Sequence, residues 1–240
     1  EAISKMAEAG RSPLRLVLLF DVSGSVNPRF DFERRAAVRF LEKVWKPGDT
    51  ISIVAFSESP KILLRESASP AEALKAIATL EPTEKATSFF DAVAVSAGIL
   101  RQATGPETRQ AVVALSDGED NRSSRGVREA LREVQRADTI FYSINPGGAS
   151  IRLNEISLQG QSDMKLLAKE TGGYAFVSDK FDDLDGIFDR ITAELQTQYL
   201  LSYYSTNARA DGKYRRISVS IPGRRGLSIH TRQGYYASVK

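Results

Sequence analysis

Cysteine is absent from the 240 residues of this chain, and histidine occurs once, at His230. Without cysteine the protein has no disulfide, no thiolate zinc site and no cysteine nucleophile. The single histidine lies in an alternating, strand-like segment, where a Ser-His-Asp triad would have to assemble around it by chance. The composition therefore argues against the commonest forms of nucleophilic catalysis.

Long apolar runs and basic stripes are missing too. No apolar segment approaches the roughly 20 residues needed to cross a bilayer, so we expect no membrane-spanning segment. Glu1 to Arg11 lacks the layout of a signal peptide. The 33 basic and 30 acidic residues are interspersed, and the densest basic cluster, Arg215-Arg216 with Arg224-Arg225, is too sparse to predict nucleic-acid binding.

Strands and helices alternate through most of the chain, which predicts an α/β fold with right-handed crossovers. We expect a Rossmann-like, doubly wound, mostly parallel central sheet flanked by helices. Strands are predicted at Leu16 to Phe20, Thr50 to Phe56, Lys61 to Leu64, Ala111 to Leu115, Thr139 to Ile144 and Tyr174 to Val177. Helices are predicted at Phe30 to Trp45, Ser69 to Leu80, Phe89 to Gln102, Ser123 or Ser124 to Arg136, Asp163 to Glu170 and Leu184 to Gln196.

The two ends of the chain differ from this α/β body. Residues 1–13 have helical composition without clear periodicity and are expected to form a loosely attached lead-in, and residues 149–160 an irregular loop. The extension at residues 198–240 predicts a small antiparallel set of strands packed on the body. These strands are Gln198 to Tyr204, Tyr214 to Ile221, Leu227 to Thr231 and Gly234 to Ala237. Tyrosines in the extension favour packing over a binding surface: Tyr199, Tyr203, Tyr204, Tyr235 and Tyr236.

Oxygen-bearing side chains follow the strand at Leu16 to Phe20, whose continuous apolar run indicates burial on both faces. Gly24 allows a tight bend that turns these side chains toward one point. Two further loops carry similar groups, one before a helix and one after a central strand, and all three are expected at the carboxyl edge of the sheet. The predicted metal ligands are Asp21, Ser23, Ser25, Thr87 and Asp117.

This donor set suits a hard cation. Two carboxylates and three hydroxyls contain no nitrogen or sulfur, and Mg²⁺ prefers such oxygen ligands, with Mn²⁺ or Ca²⁺ as alternatives. Because three of the five donors are neutral, the charge of the ion is only partly compensated. A carboxylate from another molecule could complete its coordination shell.

The order of these residues resembles the von Willebrand factor A family. Its metal-ion-dependent adhesion site has the pattern D-x-S-x-S, then a threonine, then an aspartate, and Asp-Val-Ser-Gly-Ser at 21 to 25, Thr87 and Asp117 fill every position. The resemblance covers roughly residues 14–197 and includes Thr171-Gly172-Gly173, a turn common in the family before its last strand. It implies that Ser23, Ser25 and Thr87 contact the ion directly, and that Asp21 and Asp117 act directly or through water.

The extension resembles a narrower group. Gln198-Tyr-Leu-Leu-Ser-Tyr-Tyr and Arg232-Gln-Gly-Tyr-Tyr-Ala are similar to the ending of acidobacterial proteins of unknown function that contain an A domain. That resemblance implies a secreted, periplasmic or cell-envelope protein. Within the body, Asp91 is expected to support a helix dipole or loop, and Glu119 and Asp120 to form a solvated rim or to steer a partner.

These observations lead to a main hypothesis and two alternatives. The main hypothesis is a non-enzymatic, Mg²⁺-dependent protein-binding module for adhesion or assembly, with the partner supplying an exposed Asp or Glu. One alternative is a structural subunit of a cell-envelope assembly that leaves the metal site unused. The other is an Mg²⁺-dependent phosphohydrolase using Asp21, although Ser23 stands where such enzymes usually have a second acid.

Overall fold

The structure is a computed structural model, which describes residues 1–8, 10, 12–24, 30–101, 108–146, 155–178, 183–223, 226, 229–237 and 239. These residues form ten strands and six helices. The strands are β1 (Ile3–Glu8), β2 (Leu14–Asp21), β3 (Thr50–Phe56), β4 (Pro60–Ser67), β5 (Arg109–Leu115), β6 (Ile140–Asn145), β7 (Ala175–Val177), β8 (Tyr199–Tyr203), β9 (Tyr214–Arg216) and β10 (Gly234–Tyr236). The helices are α1 (Phe30–Val44), α2 (Pro70–Ala78), α3 (Phe89–Leu100), α4 (Val127–Arg136), α5 (Glu155–Thr171) and α6 (Leu184–Thr197).

Six strands form the central sheet in the order β4-β3-β2-β5-β6-β7. All neighbouring pairs are parallel except β3 and β4, which run antiparallel. The predicted doubly wound, mostly parallel sheet is confirmed. Because β2 pairs directly with β5, with Phe20 opposite Leu115, the loops after these two strands leave the sheet side by side.

The central strand β2 is buried along its whole length, which explains its uninterrupted apolar sequence. Leu16, Leu18 and Phe20 face one core with α1, α2 and α6. Val17 and Leu19 face the opposite core with α3, α4 and α5. The sheet is therefore covered by helices on both faces, and its carboxyl edge is fixed by two packed layers. In the described part of the chain, no helix is long and apolar enough to span a membrane.

The prediction for the first residues was wrong. Instead of a loose lead-in of helical character, Ile3–Glu8 forms β1, which pairs antiparallel with β8. The segment has few β-branched residues, so local propensity gave no strand signal, and the pairing with a strand almost two hundred residues later determines its conformation. β1 and β8 form a ribbon separate from the central sheet.

The rest of the extension is antiparallel but shorter than predicted. β9 ends at Arg216, and it pairs with β10 in a second two-stranded ribbon. Residues 229–231 are not in a strand, so the prediction of Leu227 to Thr231 fails there, while residues 227 and 228 lie outside the described residues.

Helix α5 also differs from its prediction. It begins at Glu155, within the segment expected to be an irregular loop, whose residues 149–154 lie outside the described residues. Serine, glycine and glutamine are weak signals for a helix. The first part of α5 is stabilised by the loop after β5, because Ser157 donates to Glu119 and Gly160 packs against Gly118.

Candidate metal centre

Asp21, the first predicted ligand, is the last residue of β2 and has 1% of its surface exposed. Its Oδ1 accepts a hydrogen bond from the Ser23 amide at 2.9 Å. Its Oδ2 accepts one from the Ser116 hydroxyl at 2.7 Å. Groups from two loops therefore hold the carboxylate in one orientation at the middle of the sheet edge.

The loop after β2 is anchored to the loop that precedes α3. The Val22 carbonyl accepts hydrogen bonds from the amide and the hydroxyl of Thr83, at 2.7 and 2.8 Å. Ser23 is buried beside Asp21, with 1% of its surface exposed. The predicted ligand Ser25 lies outside the described residues.

Thr87 lies just before α3 and is locked to the loop after β5. Its amide donates to Asn121 Oδ1 at 2.9 Å, and its carbonyl accepts from the amides of Asn121 and Arg122, each at 3.1 Å. Thr87 is 4% exposed, and within the described ranges its hydroxyl has no hydrogen-bond partner, so this oxygen remains available as a donor to a cation.

Asp117 follows β5 and is only partly exposed. Its Oδ1 accepts the Glu119 amide at 3.0 Å, which bends the loop back on itself. Ser116 links the two carboxylates: its hydroxyl donates to Asp21 and accepts from the Gly118 amide at 3.0 Å. The sequence interpretation missed Ser116, although a hydroxyl between a buried strand and an aspartate was a usable signal.

The electrostatics of the site are dominated by the buried carboxylate. Burial raises the pKa of Asp21 to about 7, from an ordinary value of 3.8. The nearby negative charge of Asp117 adds to this rise, whereas the hydrogen bonds from Ser23 and Ser116 oppose it. Two carboxylates thus stand close enough to repel each other, and one of them, Asp21, is buried away from solvent.

This arrangement fits a hard divalent cation. A positive ion would offset both the burial and the mutual repulsion of Asp21 and Asp117, and the donors are all oxygen. Within the described ranges, no cluster of three or more His, Asp or Glu could hold a metal, so a cation here depends on the hydroxyls. Asp21 and Ser23 lie together after β2, Asp117 follows the adjacent strand β5, and Thr87 is bonded to the loop after Asp117. The ligand set itself stays a prediction.

The expectation of a solvated rim is wrong for Asp120. Its Oδ2 accepts the Phe90 amide at 2.9 Å in the first turn of α3, and Oδ1 accepts the Ser123 amide at 3.0 Å. Ser88, the residue at the N-cap of α3, makes no capping hydrogen bond with its side chain. Asp120 therefore caps the helix from another loop and joins the segments that carry Thr87 and Asp117.

Asp91 supports the same junction, as expected, and is bonded to protein groups. It accepts hydrogen bonds from the Ser124 amide at 2.9 Å and from Arg125 Nη1 at 2.8 Å. Burial acts to raise the pKa of Asp91, but these hydrogen bonds outweigh it and lower the pKa. Glu119, the other predicted rim residue, accepts a hydrogen bond from the Ser157 hydroxyl of α5.

We expect Asp120→Ala to lower the free energy of unfolding by about 1 to 2 kcal/mol. The Phe90 amide in α3 would lose its capping acceptor, and the Ser123 amide in the loop after β5 would lose its acceptor as well. Asp120→Asn keeps one acceptor oxygen and should cost less. Urea denaturation of both variants measures the difference. Unchanged stability in Asp120→Ala would contradict the capping role.

The loop of Asp117 makes close backbone contact with α5. A Cβ atom on Gly160 would lie 2.5 Å from the carbonyl carbon and oxygen of Gly118, and one on Gly118 would lie 2.7 Å from the Gly160 oxygen. Gly118 also has a φ of 79°, a backbone conformation that residues other than glycine rarely adopt. Two glycines thus permit α5 to support the loop directly beside Asp117.

The sequence matches one protein family over the first part of this sheet. Residues 16–119 match the sequence model of the von Willebrand factor type A domain, and this range contains all five predicted ligands. No curated protein sequence matches the chain.

Solved structures with a similar fold come from diverse sources. BatB, a conserved hypothetical protein from Bacteroides thetaiotaomicron, has a TM-score of 0.60 at 15% identity, over 77% of this chain and 100% of that chain. The von Willebrand factor domain of Mfa5, a type V pili tip protein from Porphyromonas gingivalis, has a TM-score of 0.61 at 14% identity, over 78% and 97%. Proximal thread matrix protein 1 from the mussel byssus, solved with a zinc-occupied MIDAS motif, has a TM-score of 0.59 at 17% identity, over 78% of this chain and 47% of that chain.

Proposed function

The chain has the von Willebrand factor type A fold, and on that premise we propose that it is a non-enzymatic protein-binding module that depends on a divalent cation. One observation carries this proposal: the buried Asp21 carboxylate lies beside Ser23 and feels the charge of Asp117 at the carboxyl edge of the sheet, where Thr87 is bonded to the loop after Asp117. The partner contributes an exposed Asp or Glu. The similar pilus tip and byssus proteins support a cell-envelope or extracellular location.

The residues of the site divide into donors and supports. Ser23, Thr87 and Ser25 would hold the ion through neutral hydroxyls, and Asp21 and Asp117 would provide the negative charge. When bound, the cation supplies a positive charge that a carboxylate from outside can neutralise. Mg²⁺ is the proposed ion, and zinc occupies the motif in the mussel protein.

The supports keep these donors in place before any ligand arrives. Ser116 holds the orientation of Asp21, and Asn121 fixes the backbone on both sides of Thr87. Because these hydrogen bonds already exist in the folded protein, binding needs little reorganisation of the described loops. The partner's carboxylate would therefore meet a preformed site.

The chemistry of the site does not favour an enzyme. His230 packs against Tyr174, with ring centroids 4.3 Å apart and the rings tilted by 38°, and it lies in the extension, not among the predicted ligands. Mg²⁺-dependent phosphohydrolases that use an aspartate at the end of a strand usually have a second acid two residues later. Ser23 occupies that position after Asp21. Turnover of a simple phosphate ester by the wild type that is lost in Asp21→Asn would overturn the non-enzymatic proposal.

Isothermal titration with Mg²⁺ or Mn²⁺ tests the metal directly. We expect saturable binding by the wild type, and a loss of roughly tenfold or more in Asp21→Ala and Thr87→Val, since each removes a donor. Thr87→Val keeps the shape of the side chain and deletes only its hydroxyl donor. Saturating metal should also stabilise the fold, by roughly 2.7 kcal/mol at 100 times the dissociation constant.

Thr197→Val is the matched control. The Thr197 hydroxyl donates to the Ala193 carbonyl at the end of α6, far from the predicted ligands in the chain fold, so its removal should leave metal binding unchanged. Absence of saturable binding in the wild type would remove the metal from the proposal. Capture of a partner from the source cell envelope that persists in EDTA would instead favour a structural subunit that leaves the site unused.

A further inference from the structure

The C-terminal extension contains a cleft of about 350 Å³ that shares no residue with the metal centre. Its walls come from β8, β9, β10 and the loop between β8 and β9. Side chains that define its chemistry are Tyr203, Ser205, Arg209, Arg215, Arg232 and Tyr235. The cleft thus has three guanidinium groups, and no carboxylate side chain lines it in the part of the chain that the structure describes.

The carboxylates nearest to these arginines lie outside the described lining. Glu1 accepts hydrogen bonds from the amide and the hydroxyl of Thr206 in the loop between β8 and β9, and its negative charge acts on Arg215. Asp211 is 3.6 Å from Arg215, and Asp138 pairs with Arg232 but has 65% of its own side chain exposed to solvent. Arg209 is exposed and has no ion pair with any residue in the described ranges. Arg215 and Arg232 therefore have acidic neighbours, and within the described residues the uncompensated positive charge of the cleft is that of Arg209.

Two of the guanidinium groups lie near the ring of Tyr235. The guanidinium carbons of Arg215 and Arg232 are 6.0 and 5.9 Å from the centre of its ring. Hydrogen bonds from Ser205 and then Arg215 lower the pKa of Tyr235, so donors converge on its oxygen. The favoured prediction, packing of the tyrosines between the extension and the body, applies to Tyr236, because the guanidinium carbon of Arg136 in α4 lies 5.4 Å from the centre of its ring. Its ring centroid is also 5.2 Å from that of Tyr214.

Arg215 stabilises the shape of the cleft, whereas Arg232 has N–H groups left to bind a ligand. Arg215 has only 15% of its side chain exposed and donates to the backbone carbonyls of Asn207 and Arg209, which fixes the loop. Arg232 uses Nη1 for Asp138 and keeps further N–H groups along its edge. A guanidinium whose face lies over an aromatic ring still presents its edge to an oxyanion.

We propose that this cleft binds a small ligand bearing phosphate or carboxylate groups, held by the edges of Arg209 and Arg232 above the floor formed by Arg215 and Tyr235. The volume fits a compact polyanion, since ligand pockets begin at about 300 Å³. The site is independent of the proposed cation-dependent function. It gives the extension a binding role separate from that of the sheet edge.

Titration calorimetry with pyrophosphate and, separately, citrate at constant ionic strength tests this site. Protein and buffers are freed of divalent metal on a chelating resin, so metal complexes cannot report on the sheet edge and no soluble chelator competes for the cleft. Failure here leaves the metal proposal untouched. We expect saturable binding of at least one anion by the wild type, weakened by roughly tenfold in Arg209→Gln and in Arg232→Gln, the loss of about one charge-assisted hydrogen bond. Preference for pyrophosphate or citrate distinguishes phosphate from carboxylate recognition.

Arg65→Gln is the matched control, because Arg65 is an exposed arginine on β4, outside the cleft. It removes the same charge from the protein and should leave the affinity unchanged. Equal weakening in Arg209→Gln, Arg232→Gln and Arg65→Gln would mean that net charge alone attracts the anion. That result would overturn the proposed site. Absence of saturation with either anion in the wild type would overturn it as well.

Discussion

Replacing Gly160 with alanine is expected to destabilise the protein by roughly 1 to 3 kcal/mol and to weaken binding of the cation. In the middle of a helix, alanine would normally stabilise by up to about 1 kcal/mol relative to glycine. Here the new methyl group would lie 2.5 Å from backbone atoms of Gly118 and 2.9 Å from the Glu119 amide nitrogen. Backbone cannot rotate away as a flexible side chain can, so α5 or the loop carrying Asp117 must move.

The two effects are measured separately, by urea denaturation in EDTA and by Mg²⁺ titration under conditions where the variant is folded. Gly98→Ala provides the control, since Gly98 lies within α3 and an added Cβ there meets nothing within 4 Å. That substitution should be neutral or stabilising by about 0.5 to 1 kcal/mol. If Gly160→Ala matches the wild type in stability and in metal affinity, α5 does not position Asp117.

The metal-free protein is expected to lose stability as the pH rises, by roughly 4 kcal/mol from Asp21 alone. The pKa of Asp21 is about 7 in the folded protein, against 3.8 for an ordinary aspartate. The folded state therefore holds this proton more tightly than the unfolded state. Its contribution to stability is complete below pH 3.8, declines between pH 3.8 and about 7, and is lost above that range.

Saturating Mg²⁺ should remove most of this decline, because the cation stabilises the ionised carboxylate. Its affinity should rise roughly tenfold per pH unit up to about pH 7 and then level off, since binding must displace the Asp21 proton. Urea denaturation at several pH values, with EDTA or with Mg²⁺, measures both trends.

Asp21→Asn isolates the contribution of this one carboxyl. Burial also raises the pKa of Asp163 and of Glu194, so part of the pH dependence in the wild type belongs to them. The difference between wild type and Asp21→Asn cancels that part. A wild-type curve in EDTA that parallels the curve of Asp21→Asn would mean that the Asp21 carboxyl is not perturbed as described.

The positions of Asp21 and Asp117 could be predicted from the sequence, because they follow from the order of the strands. Continuous apolar residues in β2 indicated burial on both faces, and a parallel sheet places Asp21 and Asp117 at one edge. The direct pairing of β2 with β5 then brings the two carboxylates together. These features depend on patterns that are local in the chain, and they could be predicted.

The supports of the site could not be predicted, because they depend on contacts between distant segments. Asn121 reaches Thr87 across 34 residues, and Gly160 matters only through its distance from Gly118. Asp120 has the sequence context of a surface acid, yet it bonds the Phe90 amide of another element. In β1 and in the start of α5, tertiary pairing likewise overrides weak local propensity.

The ribbon of β1 and β8 has a mechanical consequence. Ile3 lies opposite Tyr203 and Glu8 opposite Tyr199, so a pull that separates Ile3 from Tyr203 loads the outermost pair first. Such a ribbon opens like a zipper, one pair after another, at lower force than strands sheared along their length. A load applied between Glu1 and the chain after Tyr203 would therefore open this ribbon before it reached β2 and the carboxylate at its end.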